Sequence, residues 1–486
     1  MSQISLKNSI RSIQFVFLVI LILAATYISI GRIVFSFSDV YRDDLARWME
    51  ERLSIDVNIG SIEGKWTYFD PEVSLDHVVL GESLYFDHLT FRINTLKSLL
   101  KRTVIVTVLK VKSIEVHMQE SQPGKWNVVG FPESLASFDL DLGLEFLNHL
   151  ITAKVEEIDI SLTGTSADYV VAISNLVLES LGSDERRISV PLKIRGKDSK
   201  SFGSINLLGE YRGNLKDSDF KGDFYADIVG IDLEHLIDLN HLSYQVSDIS
   251  IDNEVWVSID SDQKSILSNT NFNAMLLRNV KEKIALGGEL SLGIKVSEHE
   301  LRITGQKLSV QLDNDEMDLS GFYGSLSRQL NQVAFIMPEI KLHKLSSFLL
   351  NFDAQITSKK LYSAIEEISP RGSLRDTFLY IDLDSWERNY QLVSVLDSAN
   401  LGAYLGFPEI RNLSGVLSLS PGRGHIDIDS KNIEFHFKSR FSDIWPFDSV
   451  RGRILYYNDQ DIFRVNSRLF QLNYNDLSAV GKIKMN

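Results

Sequence analysis

Apolar and polar residues alternate along most of this chain. In the segment RRISVPLKIRG (186–196), Ile188, Val190, Leu192 and Ile194 fill every second position, with Ser, Pro and Lys between them. Successive side chains of a strand point to opposite faces of a sheet, so this alternation predicts a strand with one apolar face. We call the apolar positions of all such segments the alternating apolar set: Val104, Val106, Val108, Ile114, Val116, Met118, Ile158, Ile160, Leu162, Ile188, Val190, Leu192, Ile194, Ile205, Leu207, Phe224, Ile228, Val255, Val257, Ile259, Leu290, Leu292, Ile294, Leu308, Val310, Leu312, Ile426, Ile428, Ile433, Phe435 and Phe437.

Short strand-like runs follow one another with Gly-, Pro- and Asp-containing turns between them, which predicts a mostly antiparallel sheet. Helical spacing is confined to short segments at 96–101, 144–150, 232–239, 342–350 and 361–368, and near Leu401. With about four inward apolar residues per strand at roughly 1.5–3 kcal/mol each, an uncovered strand face would cost about 6–12 kcal/mol.

Three arrangements cover such a face: a second sheet, closure of the sheet on itself, or an open curled sheet whose concave face holds something other than protein. The pattern alone favours sandwiches, because they need no ligand.

The N-terminus predicts a membrane anchor. The segment IQFVFLVILILAATYISI (13–30) has no charged residue in 18 positions, with Lys7 and Arg11 before it and Arg32 after it. A helix of that length is about 27 Å long, close to the ~30 Å hydrocarbon core of a bilayer. We therefore predict a cytoplasmic leader over 1–12 and a transmembrane helix over 13–31, with the rest of the chain on the far side. The alternative is a cleaved signal peptide, whose apolar region is usually shorter, ~7–15 residues.

A second helix is predicted over 38–53, with Ser38 as its N-cap and apolar residues at helical spacing, among them Leu45, Trp48 and Met49. It is either a lid on the first strands or a collar at the membrane surface, where Trp48 suits the headgroup level. The remainder, 54–486, shows no Pro-, Gly- or Ser-rich linker and is predicted to be one elongated sheet domain.

Composition excludes several classes of function. The chain has 50 Lys and Arg against 65 Asp and Glu, a formal net charge of −15, which disfavours nucleic-acid binding. It has no cysteine, which excludes disulfides, thiolate metal sites and cysteine nucleophiles. The absence of cysteine also suits an oxidising compartment.

The sequence shows no convincing pattern of catalytic or metal-binding residues. His235 and His241 are six apart and lack the i, i+4 spacing of a helical metal site, so surface roles are favoured. Neighbouring acids at 156–157 and at 139 and 141 fit solvated positions better than an acid/base pair. The tripeptide GKW at 64 and 124 lacks the glycine spacing of a phosphate loop, and Trp66 and Trp126 are predicted to pack at turns, with contact to lipid as the alternative. We expect no enzyme, no cofactor and no metal.

Several segments together resemble a known family. They are VYRDDLARWMEERLSIDVNIGSIEGKW (40–66), FDPEVSLDHVVL (69–80), LTFRINTLKSLLKRTVIVTVLKVKSIEVHMQE (89–120) and, near the end, RNLSGVLSLSPGRGHIDIDSKNIEFHF (411–437) and the strand-rich run from 447 to 485. With the anchor, they resemble the N-terminal part of AsmA-like proteins, most closely the YhdP type. The shared features are hydrophobic spacing with Gly and Trp markers, and they indicate architecture without an active site.

The resemblance implies a function. It implies a single-pass inner-membrane anchor holding a long, curled, open β-sheet in the periplasm, similar to bridge-like lipid-transfer proteins. Family members of this type are implicated in moving phospholipid toward the outer membrane and in envelope integrity. The alternating apolar set would then line a groove for acyl chains, while Lys193 and Arg195 face solvent. A ~16-carbon chain costs about 13 kcal/mol to place in water, which an apolar groove removes.

The alternatives belong to other classes. A structural or scaffolding periplasmic protein built from β-sandwiches would carry no lipid, and an enzyme acting on envelope glycans or lipids would need a polar cleft that the sequence does not show. YhdP-type proteins are generally longer, and about 25 strands at ~4.8 Å would extend only ~120 Å. We therefore expect a short paralogue, a truncated reading frame, or a segment completed by another protein.

Overall fold

The structure is a computed structural model in which strands dominate. It describes residues 2–122, 125–131, 150–164, 168–182, 185–213, 219–233, 245–260, 263–279, 282–297, 300–312, 315–327, 331–351, 359–385, 389–404, 406–438, 441–459, 462–482 and 484–485. The chain divides into two compact units, Met1–Gly230 (unit 1) and Ile231–Asn486 (unit 2); a single elongated sheet domain over 54–486 stays a prediction. The boundary falls near the end of a strand, which explains why no linker composition marks it.

The helices are few and mostly short. They are α1 (Ser2–Phe35), a 3-10 turn (Ser38–Tyr41), α2 (Arg42–Leu53), α3 (Thr95–Lys101), α4 (Leu342–Asn351) and α5 (Lys359–Ile368). Helices α3, α4 and α5 confirm the segments predicted at 96–101, 342–350 and 361–368. The helix predicted near Leu401 is wrong, because Leu401 ends a strand that pairs with Ile410. Of the helical segments predicted at 144–150 and 232–239, residues 144–149 and 234–239 lie outside the described residues, and Asp232 ends strand β10.

Unit 1 is built on the first ten strands, the tenth of which ends just beyond the boundary. They are β1 (Val57–Thr67), β2 (Asp70–Leu80), β3 (Leu84–Ile93), β4 (Val106–Gln122), β5 (Lys125–Val128), β6 (Thr152–Thr163), β7 (Asp168–Ser180), β8 (Glu185–Gly196), β9 (Ser201–Arg212) and β10 (Lys221–Asp232).

The remaining strands belong to unit 2. They are β11 (Gln245–Ile259), β12 (Lys264–Asn279), β13 (Glu282–Val296), β14 (Glu300–Leu312), β15 (Asp315–Asp318), β16 (Phe322–Ser327), β17 (Gln332–Lys341), β18 (Arg371–Asp382), β19 (Tyr390–Leu401), β20 (Glu409–Ser420), β21 (Arg423–His436), β22 (Trp445–Asp459), β23 (Ile462–Ser467), β24 (Phe470–Tyr474), β25 (Leu477–Gly481) and β26 (Lys484–Met485).

Pairing follows chain order in both units. In unit 1 the ladder runs β1-β2-β3-β4-β6-β7-β8-β9-β10, and β5 pairs with the end of β4. In unit 2 the ladder runs β11-β12-β13-β14-β16-β17-β18-β19-β20-β21-β22-β24-β25. Neither ladder closes into a barrel through the described strands. The predicted antiparallel pairing holds except between β4 and β6, which are parallel.

Bulges interrupt many of the strands. The ladder between β7 and β8 shifts register between Ile173 and Val177, around Asn175, whose φ is +55°. The ladder between β18 and β19 shifts between Arg375 and Phe378, next to Asp376, whose φ is +50°. A bulge bends its strand and increases the local twist, so these positions curve the sheets.

Helix α2 covers the start of the unit 1 sheet. Its Leu45, Ala46, Met49 and Leu53 pack against a buried cluster contributed by Ile55 and strands β1 and β2. Trp48 points away and stays exposed. The apolar side of α2 therefore forms a lid on the first strands, which is one of the two interpretations given for this helix. The predicted N-cap Ser38 instead begins the 3-10 turn and donates to the carbonyl of Ile62 on β1, at 3.2 Å.

Helix α1 is docked onto strand β1 by an aromatic cluster. The Trp66 ring lies edge-on to Tyr27 and Phe35, with ring centroids 5.2 and 5.3 Å apart. Gly31 faces the same ring so closely that a Cβ there would lie 2.6 Å from its atoms. Trp66 was predicted to pack at a turn, but it lies within β1 and fastens helix α1 to the sheet.

Replacement of Gly31 by leucine should separate α1 from β1. The added side chain cannot share space with the Trp66 ring, and such overpacking costs about 1–3 kcal/mol. We expect faster hydrogen exchange of the β1 amides, measured on the full chain in detergent micelles. Ile30→Leu, at an exposed neighbouring position, is the control and should leave β1 unchanged. If both variants exchanged like the parent chain, the docking of α1 on β1 would be wrong.

Candidate apolar binding face

One row of side chains crosses the whole unit 1 sheet. Residues directly opposite each other in neighbouring strands share a face, so the ladder registers define rows. The row that we call the unit 1 track takes one residue from each strand of the ladder: Ile59, Val78, Phe86, Ile114, Ile158, Ile173, Leu192, Ile205 and Ile228. Every member is apolar, and at about 4.8 Å per strand the row is roughly 38 Å long.

Unit 2 carries a corresponding row, the unit 2 track. Its members are Val257, Ile266, Ile294, Ile303, Gly324, Phe335, Leu379, Leu392, Leu419, Gly424 and Tyr456. The two glycines do not interrupt it. A Cβ on Gly324 would lie 2.8 Å from the Phe335 ring, and the Tyr456 ring covers Gly424 in the same way. The aromatic side chains therefore lie flat over their glycine neighbours and keep the surface apolar.

Both tracks are only partly covered by protein. Ile59 and Val78 are buried, because α2 packs at that end of unit 1. From Phe86 to Ile228, and along the whole unit 2 track, the side chains are half-buried. A second packed sheet would bury such residues completely. The strands of each unit belong to a single ladder, so the stacked sandwich that the pattern favoured is not formed among the described residues.

The opposite face of the sheet is charged and hydrated. In unit 1, Arg187 pairs with Glu210 at 2.6 Å and Arg195 with Asp159 at 3.3 Å. Exposed pairs of this kind contribute little stability, so their main consequence is to keep this face in water. The carboxylates Asp429 and Asp397 of unit 2 pair with Arg451 and Arg375, again on the face away from the track.

Hydrogen bonds keep two acids of this face ionised. The bond from the Arg453 guanidinium lowers the pKa of the Asp427 carboxyl below its ordinary value. The bond from the Lys112 ammonium does the same to the pKa of Asp87. Both side chains therefore remain anionic at neutral pH, and the two faces of the sheet stay chemically distinct.

The structure brings most of the alternating apolar set onto the track side. Most members not themselves in a track lie beside one: Val116 and Ile160 face each other across β4 and β6, and Leu308 faces Leu290 across β13 and β14. The segment 186–196 divides as expected, with Val190 opposite Leu207 on the track side and Lys193 opposite Ser204 on the charged side. Phe437 packs against Phe441 and Trp445 just after β21.

Two members lie elsewhere. Val104 precedes β4 and is 70% exposed, and Val108 pairs with Thr152 on the charged face. Val106 lies opposite Ile93 on the track side, whereas Val108 pairs with Arg92, and a register shift separates these two pairs. Three further members are closed off by protein: Leu312 and Ile433 are fully buried, and Ile428 is buried.

The central strands of the unit 2 track were not predicted from the sequence. Phe335, Leu379 and Leu392 were not in the alternating apolar set, although Phe335 alternates with Val333 and Met337, and Leu379 with Ile381. Their alternation is short and is interrupted by the bulge at Asp376. Alternation of apolar and polar residues within the short segments between bulges could have identified these three residues.

An apolar recess opens beside the last strands of unit 2. It has a volume of about 380 Å³ and is lined by side chains from β22, β24 and β25, among them Trp445, Phe447 and Leu472. That volume is within the range of small-ligand sites. Among the described residues, no group of three or more His, Cys, Asp or Glu is placed to hold a metal ion. The histidines 235 and 241 and the acids 139 and 141 lie outside those residues.

The N-terminal helix α1 is a candidate membrane-spanning segment. Residues Phe15–Phe35 of α1 are long and apolar enough to cross a membrane, with nearly all of their side chains exposed. A comparison with protein families matches the YhdP protein family over residues 1–486. A comparison with curated proteins found no match.

Proposed function

The chain belongs to the YhdP family, and on that premise we propose that it is a membrane-anchored protein whose half-buried apolar tracks bind phospholipid acyl chains and contribute to phospholipid transfer toward the outer membrane. Membership in this family suggests a lipid-transport-related function in the cell envelope. The proposal adds the cargo, the surface that holds it and the direction of its movement.

The continuity of the unit 1 track carries this proposal. From Phe86 to Ile228 no polar residue interrupts the row, and no layer formed by the described residues covers it. A fully buried aliphatic side chain is worth about 1.5–3 kcal/mol relative to an exposed one, so half-buried rows leave much of this free energy unrealised. An acyl chain lying on the row would recover it.

The chemistry of the two faces suits a carrier with broad headgroup tolerance. Acyl chains need only apolar contact, which the track supplies by dispersion and exclusion of water. The headgroup can remain at the edge of the sheet in water, so no residue is required to recognise it. Movement along the track then exchanges one apolar contact for a similar one, and the large cost of exposing the acyl chain to water is avoided.

The proposed location follows from the ends of α1. Lys7 and Arg11 precede the apolar segment, and positive residues favour the cytoplasmic side. We therefore place the N-terminus in the cytoplasm, α1 in the inner membrane and both sheet units in the periplasm. A chain without cysteine is compatible with that oxidising compartment.

The test is capture of lipid by the full-length chain. Photo-crosslinking residues at Val190 and Ile259, both on the track side, should form adducts with phospholipid in the membrane of living cells. Lys193 is the matched control, since it lies three residues from Val190 on the charged face. Mass spectrometry of purified protein should identify phospholipid retained with the chain.

The outcomes separate the carrier from a scaffold. Adducts at Val190 and Ile259 without adducts at Lys193 support acyl-chain binding to the track. Equal capture at Lys193, or purified chain that stays monodisperse without lipid and gives no adduct at either track position, would favour a structural protein without cargo.

A further inference from the structure

One end of the unit 1 sheet exposes a cluster of large apolar side chains that the track does not use. We call it the lip. It consists of the turn between β1 and β2 and the outer side of α3 with the segment that follows: Tyr68, Phe69, Leu96, Leu99, Leu100 and Val104. Tyr68 is 84% exposed and Leu99 is 76% exposed. Isolated exposed apolar residues are ordinary, but a contiguous group marks an interaction surface.

Hydrogen bonds hold the two parts of the lip together. The Thr95 backbone amide and hydroxyl donate to the Asp70 carboxylate and the Phe69 carbonyl, at 2.9 and 3.0 Å. The Asn94 side chain caps α3 by accepting from the Lys97 amide. The lip is therefore a fixed part of the fold, even though its apolar side chains contribute little to the protein core.

The helix of the lip is amphipathic. Leu96, Leu99 and Leu100 have i, i+3 and i+4 spacing, which places them on one side of α3. Basic residues flank them at Lys97, Lys101 and Arg102, although the chain as a whole is acidic. Apolar side chains beside a local positive charge match a lipid surface with anionic headgroups.

The end of β1 that leads into the lip lies alongside the apolar part of α1. From Gly60 to Trp66, successive residues of β1 contact residues that come progressively earlier in the sequence. Gly60 accepts a hydrogen bond from Arg42, Gly64 lies against Phe35, and Trp66 contacts Tyr27. Strand β1 therefore runs opposite to the chain direction of α1, and the turn that follows Trp66 continues toward the middle of α1.

This placement sets the level of the lip in a bilayer. Tyr27 and Phe35 both belong to the segment long and apolar enough to cross a membrane. Arg32, exposed in the last turn of α1, suits the headgroup region. Tyr68 and Phe69, beyond Trp66, thus lie at the depth of the adjoining acyl chains.

We propose that the lip inserts into the membrane leaflet in which α1 ends and binds its acyl chains and anionic headgroups. The strands that meet the lip continue directly into the track side, through Phe91 and Ile93 of β3 and Val106 of β4. On the function proposed above, on which this step rests, the lip is the place where phospholipid leaves the leaflet and enters the unit 1 sheet.

The test uses single-cysteine variants, which need no background substitution because the chain has no cysteine. Phe69→Cys and Leu99→Cys report on the lip, and Val229→Cys, exposed on the charged face of β10, is the control. The full chain is reconstituted in vesicles of phosphatidylethanolamine and phosphatidylglycerol, and each cysteine carries an environment-sensitive fluorophore. We expect severalfold stronger quenching by spin-labelled lipid at the lip than at Val229, and the reverse order for iodide in water.

Iodide quenching of the lip labels as strong as that at Val229 would overturn the proposal and would leave the lip as a surface for a protein partner. The triple variant Leu96→Asp, Leu99→Asp and Leu100→Asp should also lower lipid capture at Val190 severalfold, because it expels α3 from the leaflet. Lip labels in lipid without capture at Val190 would support insertion and count against the carrier. Capture at Val190 with lip labels in water would support the carrier and refute insertion.

Discussion

Replacement of Ile160 by aspartate should strongly reduce the lipid that reaches strands farther from the anchor. Ile160 lies on the track side between Val116 and Val171, and acyl chains passing from the β1 end of unit 1 must cross β6. A carboxylate among hydrocarbon chains costs roughly 2.5–3.5 kcal/mol. At about 1.4 kcal/mol for each factor of ten, lipid capture at Val190 should fall on the order of 100-fold.

The neighbouring residue provides the control for this experiment. Ser161 is opposite His117 and Val170 on the other face of the same strand, so Ser161→Asp introduces the same charge into water. It should leave capture at Val190 unchanged. Equal loss in both variants would indicate general damage to the sheet. No loss in Ile160→Asp, with the thermal unfolding of the parent chain, would contradict movement of lipid along this face.

Replacement of Ile433 by alanine should destabilise unit 2 more than any comparable change on an open part of its apolar face. Ile433 is 0% exposed and belongs to a buried cluster with Leu413, Val450 and Phe470. The cavity left by truncation of a buried isoleucine costs about 2–5 kcal/mol. We expect hydrogen exchange of the β20, β21 and β22 amides to accelerate accordingly, as measured by mass spectrometry of the full chain.

The control is Val416→Ala on the charged face of β20, where the valine is 39% exposed and pairs with Asp427. Surface changes of this kind usually stay within about 0.5 kcal/mol. Lipid capture at Ile259 should be the same in Ile433→Ala as in the parent chain. If Ile433→Ala reduced capture and left exchange unchanged, Ile433 would contact lipid, and the buried cluster would be misassigned.

Alternation predicted the composition of each face where strands are regular. In 186–196 the separation of Val190 from Lys193 follows from the period of two residues, which is a local property of the chain. It failed at Val108, because the apolar side of β4 changes parity between Val111, which is buried, and Ile114, so that Val108 pairs with Arg92 and Thr152 on the charged face. A bulge depends on the neighbouring strand as well as on its own residues.

The sequence could not predict which apolar residues stay open. Ile426 and Ile433 have the same pattern and lie on the same strand, yet Ile426 is half-buried and Ile433 is fully enclosed. The difference comes from the elements that pack beside them, including Leu342 at the start of α4, which is distant in sequence. Exposure is therefore a property of contacts between remote segments, which periodicity does not contain.

The sequence by itself determined the long apolar N-terminal helix, the strands and the apolar side of most of them, because helix length and side-chain alternation depend only on neighbouring residues. Only the tertiary structure decided the parallel pairing of β4 with β6, the docking of Trp66 on Gly31, and the position of the end of β1 beside the apolar part of α1. Each of these joins segments far apart in the chain, and their meeting depends on how the whole sheet is ordered.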